Sequence, residues 1–185
     1  MTIIDTLITD RSQADVDRLN QLYAEGMAYW TEDELYAFCY GKAEPLSATD
    51  GDLIDSEDDP IIVGSGVVRG AYNEWDLNRV GRAVRYLWDK IQRTTLTELG
   101  VTARTDWTRQ RIPTASDMSA YLNDIRLIRA AVGAYSDTPA VPSTASKLTY
   151  QSANDIERIL IDTNRRLDRI LESWRYAGEV ISGEV

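Results

Sequence analysis

The densest set of side chains that could do chemistry lies in SATDGDLIDSEDDP, where Asp50, Asp52, Asp55, Glu57, Asp58 and Asp59 crowd together. Carboxylates at that density are the ligand type of a hard cation such as calcium or magnesium. The spacing departs from an EF-hand loop, because Ile54 occupies the third ligand position counted from Asp50 and no Gly follows it. Acidic runs of this kind are usually solvated loops, and the segment reads as one. Elsewhere the equipment for catalysis is thin. The chain has no His, which removes the commonest general base, the Ser-His and Cys-His pairs and the commonest zinc ligand. Lys42, Lys90 and Lys147 are the only lysines, and none sits in a Gly-rich phosphate loop. Cys39 is the single cysteine, which excludes an internal disulfide and a Cys-based zinc cluster, and within LYAFCYG it reads as a small buried hydrophobe. No catalytic residue, cofactor-binding residue or metal ligand is assigned, no cofactor is expected, and the chain reads as a non-enzyme.

A second cluster, GAYNEWDLNRV over 70–80, packs two aromatics, an Asp and two Asn just before an apolar-periodic run. Helix initiation accounts for it. Asn73 suits an N-cap, Asp76 at the third helical position complements the helix dipole, and Tyr72 can pack against Leu77 as a hydrophobic staple. Arg and aromatic residues at loops and helix ends form the remaining candidates. Trp75, Trp107, Arg109, Arg111, Arg175 and Tyr176 are of the types enriched where proteins dock, and they are the candidate partner-binding residues. Trp107 has a competing role as a plug at the end of the core.

The elements that must position these residues are helical. Ser12 with Asp15 opens a helix carrying Val16, Leu19, Leu22 and Tyr23 after an extended opening segment, and Gly26 ends it. Thr31 with Glu34 opens a second, stopping at Gly41. Residues 42–69 break the pattern with Pro45, Gly51, Pro60, Gly64 and Gly66, and Ile61–Val68 could fold into a small hairpin. A long helix from Asn73 carries Leu77, Val80, Val84, Leu87, Trp88 and Ile91 on one face, and a loop follows from Thr94 to Ile112. Thr114 with Asp117 starts a helix with Met118, Tyr121, Leu122, Ile125, Ile128 and Val132, closed by Gly133. Thr149 caps the last, with Ala153, Ile156, Ile159, Leu160, Leu167, Ile170, Leu171 and Trp174 on its apolar face. Its charged residues, among them Asp155, Glu157, Asp162, Arg165, Arg166, Asp168 and Arg169, read as a solvated, locally paired surface. The expected fold is all-α, a small bundle of four to five helices with an irregular acidic insertion. Residues 1–41 form an arm and two short helices, 42–69 the insertion and 70–185 the main bundle, together a single domain.

Charge narrows the partners. The net charge of −10 comes from residues 1–70, which hold 15 acids against 4 bases, while 71–185 hold 15 against 16. That acidic surface disfavours nucleic acid. No sustained apolar run suggests a membrane span, and MTIIDTLITD lacks the basic start of a signal peptide.

The blocks LITDRSQADV (7–16), GAYNEWDLNRVGRAVRYL (70–87), TDWTRQRIPT (105–114), LTYQSANDIERIL (148–160) and WRYAGEVISGE (174–184) carry a resemblance. In that order they resemble short structural proteins and tail-protein segments encoded by phages and prophages of Gram-positive bacteria. The most specific piece is Tyr72-Asn73 with Asp76-Leu77-Asn78-Arg79-Val80. In that family a Gly like Gly41 runs almost directly into one like Gly70, and this chain places residues 42–69 between them. The resemblance implies a virion component of the tail, baseplate or receptor-binding apparatus, assembled in the host cytoplasm. The expectation that goes with it is protein-protein docking to other virion tail proteins and to copies of itself as a homo-oligomer, and the resemblance implies no known catalytic residue. Two alternatives stand beside it. One is a soluble phage-encoded interaction module or inhibitor of a host protein; the other is a divalent-metal-dependent enzyme using the acidic loop.

Overall fold

A computed structural model of the chain describes residues 2–26, 72–95, 98–108, 111, 113–145 and 148–182. These residues form a small helical bundle with no strand. A 3-10 turn at Ile3–Thr6 is followed by α1 (Gln13–Ala24), α2 (Glu74–Thr95), α3 (Ala115–Val132) and α4 (Tyr150–Ser182). The expected helix from Thr31, the acidic insertion and its hairpin all lie outside the described residues.

One local device starts nearly every element. Thr2 with Asp5, Ser12 with Asp15, Asn73 with Asp76 and Thr114 with Asp117 repeat a short polar residue followed three positions later by Asp. In each the Asp carboxylate accepts from the backbone N–H of the first residue, at 2.7, 2.7, 3.2 and 3.0 Å. The exchange satisfies amide donors that the first helical turn leaves without partners. Thr149 caps α4 by accepting from the Ser152 N–H at 3.2 Å. At the other ends, α1 stops before Gly26 (φ +102°) and α3 before Gly133 (φ +76°), both in the region where a side chain is strained.

α2, α3 and α4 pack against one another in pairs, and the 3-10 turn closes on α2 and α4. Leu77, Val80, Val84, Leu87 and Ile91 of α2 meet Leu122, Ile125 and Ile128 of α3 and Ile156, Ile159, Leu160 and Leu167 of α4 in one core. Ile3 and Ile4 join it, which corrects the extended opening segment. Successive side chains of an extended strand point to opposite faces, so two adjacent Ile reach one core only through a turn. Thr94 belongs to α2, its hydroxyl bonded to the Lys90 carbonyl at 2.7 Å, so the following loop begins slightly later than the pattern suggests.

Two corrections concern α4. Glu157 is fully buried and Asp162 is 5% exposed, so the charged side of this helix is not simply solvated. Trp174, placed on the apolar stripe, is 53% exposed. At about 1.5 Å per residue, the 33 residues of α4 outrun the 22 of α2 and the 18 of α3 by several turns. The exposure of Trp174 puts the end of this stripe beyond the cover of the described helices.

Candidate functional site

The first turn of α2 sits over a buried charge network. Asp76 keeps one carboxylate oxygen for its cap and turns the other, Oδ1, toward Nη2 of Arg11 at 2.9 Å and Nη2 of Arg79 at 2.5 Å. The same two Nη2 atoms donate to Glu157 Oε1 of α4, at 2.6 and 2.9 Å. Glu157 Oε2 accepts from the Ile8 backbone N–H at 2.6 Å and from Arg79 Nε at 3.4 Å. No side chain of the four is more than 9% exposed. Two positive and two negative charges cancel there, and every carboxylate oxygen has a donor.

Burial opposes the charge of Arg11, but Glu157 and then Asp76 more than offset it, so its affinity for the proton rises. Arg79 follows the same pattern more strongly. Above them the phenols of Tyr72 and Tyr121 are hydrogen-bonded to each other, and the Arg11 guanidinium lies 5.6 Å from the Tyr72 ring centre. Burial, aided by the Glu157 charge, raises Tyr72 far above the usual phenol range, and burial together with Tyr72 raises Tyr121. Both stay neutral. The network therefore holds Ile8, Arg11, α2 and α4 in register.

Tyr121 also lines an open cleft of about 410 Å³ between α2, α3 and residues 98–108, with Gly81, Ala103, Arg104, Trp107, Arg111 and Asp117. Residues 98–108 lack regular structure and are pinned from both helices. Asn78 of α2 accepts from the Trp107 N–H at 2.9 Å and donates its side-chain amide to the Trp107 carbonyl at 3.0 Å. Asp124 of α3 accepts from the Thr102 N–H, the Thr102 hydroxyl and the Ala103 N–H at 3.1, 2.6 and 3.0 Å. Those bonds hold Ala103 at φ +44°, which a residue with a Cβ rarely adopts. Gly81 completes the fit. A Cβ there would lie 2.0 Å from the Arg104 carbonyl oxygen, so only Gly lets α2 approach this backbone.

Within the cleft the Arg104 guanidinium stacks 4.1 Å above the Trp107 ring and bonds Asp106 at 2.6 Å and Asp117 at 3.0 Å. The Arg104 hydrogen bond draws the Asp106 carboxyl below its ordinary range, and the Thr114 backbone N–H, then its hydroxyl, do the same for Asp117. Trp107 is 4% exposed, and its indole N–H has no hydrogen-bond partner. A buried aromatic and a rim of paired charges thus line the cleft. Among the described residues no cluster of three His, Cys, Asp or Glu could hold a metal ion, and no helix is long and apolar enough to cross a membrane.

The six candidate docking residues are scattered. Trp107 is in the core and forms a wall of the cleft, Arg111 stands exposed at its rim, and Trp75 is half-buried in the first turn of α2. Arg175 and Tyr176 are exposed together beside Trp174 on the overhanging end of α4. Arg109 lies outside the described residues. Nothing in the sequence pattern joins Arg104, Asp117 and Tyr121 into one surface. Asp117 carried a signal, its capping spacing, but the neighbours depend on the path of an irregular loop. Arg11 and Glu157 are 146 positions apart, and no local pattern couples them. In comparisons with known proteins, no family model, no curated protein and no solved structure matches the chain.

Proposed function

We propose that this chain is a structural component of a phage virion, in the tail, baseplate or receptor-binding apparatus, and that it works by docking to other virion subunits and to copies of itself. The observation that carries the reading is the ordered series of sequence blocks from 7–16 to 174–184, which resembles phage tail-associated proteins over most of the chain. Two surfaces suit docking. The cleft beside Trp107 and Arg104 has the size of a socket for a large side chain, and the end of α4 presents Trp174, Arg175 and Tyr176 outward. Tyr, Trp and Arg anchor interfaces because they bring large contact area together with directional donors. The charge network beneath supplies rigidity and no reaction.

The deciding experiment is mass spectrometry of purified virions, paired with the mass of the isolated chain by light scattering. The chain should be found in particles and should self-associate or be captured by a neighbouring tail protein. Absence from virions together with a monomeric mass would overturn the reading in favour of a host-directed interaction module.

A further inference from the structure

We infer that the far end of α4 is the surface on which two copies of this chain pair, with Trp174 as the anchor; this rests on the self-docking in the proposed function and names the face that performs it. α4 runs beside α2 in the same direction. Arg79 meets Glu157 at 2.9 Å and Lys90 meets Asp168 at 2.5 Å, an equal step along each helix. By that register Thr95, the last residue of α2, is level with about residue 173 of α4. α3 stops earlier, its last residue Val132 accepting from Arg166 Nε at 2.8 Å. α4 continues to Ser182 beyond both ends, and residues 172–176, more than a full turn, are all exposed.

The sequence of this overhang is patterned for another helix. Leu160, Leu167, Trp174 and Ile181 stand seven residues apart, and Thr163, Ile170 and Ala177 fill the alternate places of the same repeat. A largely apolar repeat of seven is the seam of helix-on-helix packing. Its first half is used within the bundle, where Leu160, Thr163 and Leu167 are buried and Ile170 packs partly against the core. Its second half begins at Trp174, which is 53% exposed. Two features select a second copy as the occupant. Trp174 is followed one turn later by Ala177 and Gly178, so the bulkiest residue type adjoins the two smallest. Two such helices related by a two-fold axis can lay each Trp against the other's small pair, which is the self-complementarity an isologous contact requires. Charge agrees. Residues 165–182 carry four Arg against three acids, so two copies meet there away from the acidity of residues 1–70. Along this stretch the signs alternate as Arg169, Glu172, Arg175 and Glu179, which lets Arg of one copy face Glu of the other.

The test is sedimentation equilibrium of the full chain across a range of concentrations. The parent should show a reversible monomer–dimer equilibrium. Trp174→Glu should raise the dissociation constant by about thirtyfold or more, the effect of losing an interface anchor, and Trp174→Phe, which keeps an aromatic ring, by less. Tyr23→Glu, which puts the same charge at another exposed aromatic, on α1, should pair as the parent does. At concentrations where both are monomeric, Trp174→Glu should melt at the parent's temperature. A parent that stays monomeric, or a Trp174→Glu variant that pairs as tightly as the parent, would overturn the inference. So would a monomeric Trp174→Glu variant with a lowered melting temperature, because another part of the chain would then be covering the stripe. None of these outcomes depends on finding the chain in virions, so the pairing and the tail assignment fail separately.

Discussion

Replacing Asn73 by Ala removes an oxygen that accepts from the Trp75 and Asp76 amides at 3.0 and 3.2 Å, an N-cap loss of about 1 kcal/mol. Asp76→Ala removes a capping partner too, but it also strips Arg11 and Arg79 of a shared buried carboxylate. Its cost should resemble that of breaking a buried ion pair, about 3–5 kcal/mol. Chemical denaturation of the two variants checks the ranking, and equal losses would mean that Asp76 acts as a cap alone. Glu157→Ala should fall in the larger class, with a melting temperature lower by on the order of 10 °C for a chain of this size. Gly81→Ala opposes two effects. Ala favours a helix interior over Gly by about 1 kcal/mol, whereas its Cβ would stand 2.0 Å from the Arg104 carbonyl oxygen, a backbone atom that no side-chain rotation can move. The clash should win, with a net loss of roughly 1–3 kcal/mol and an increase in Trp107 exposure read from a red-shifted emission maximum.

Helix starts were legible because capping is local. The spacings Ser12–Asp15, Asn73–Asp76 and Thr114–Asp117 state both a beginning and its chemistry within four residues, and each forms as the pattern requires. The cap of α3 adds a pH dependence. The Asp117 carboxyl is held below its ordinary value of 3.8, first by the Thr114 backbone N–H and then by its hydroxyl. Because the folded chain binds that proton less readily than the unfolded chain, the stabilisation is complete above the unfolded value and disappears as pH falls through the folded one. The stability difference between the parent and Asp117→Asn should thus be constant from about pH 7 to 5 and shrink below about pH 4. A difference that ignores pH would assign the cap to geometry without charge. Apolar stripes read equally well through Leu167, and Trp174 failed because periodicity reports a face and says nothing of where the covering helices end.

At the scale of the molecule, the bundle class followed from those stripes, whereas the network and the cleft did not. By sequence Arg11 belongs to an extended opening segment, and Glu157 is one acid among many on a mixed-sign helix. They meet only in the folded bundle, where Arg11 bonds Glu157 directly and Asp76 and Arg79 join both. The cleft likewise requires Asn78, Gly81 and Asp124 to hold a loop whose own residues specify no regular structure. Residues 8–11 meet α4 through bonds spanning 143 to 149 positions: Ile8 and Arg11 to Glu157, and Arg11 to Asn154 in both directions. During synthesis these early residues emerge long before their acceptors. Arg11 and Arg79 cannot be neutralised by Glu157 until α4 has left the ribosome, and such long-range closure is intrinsically slow. Nascent chains stalled before residue 157 should therefore be cut readily by added protease, and chains that expose all of α4 should resist it. Resistance already present in the shorter chains would show that the early segments settle without waiting for their distant partners.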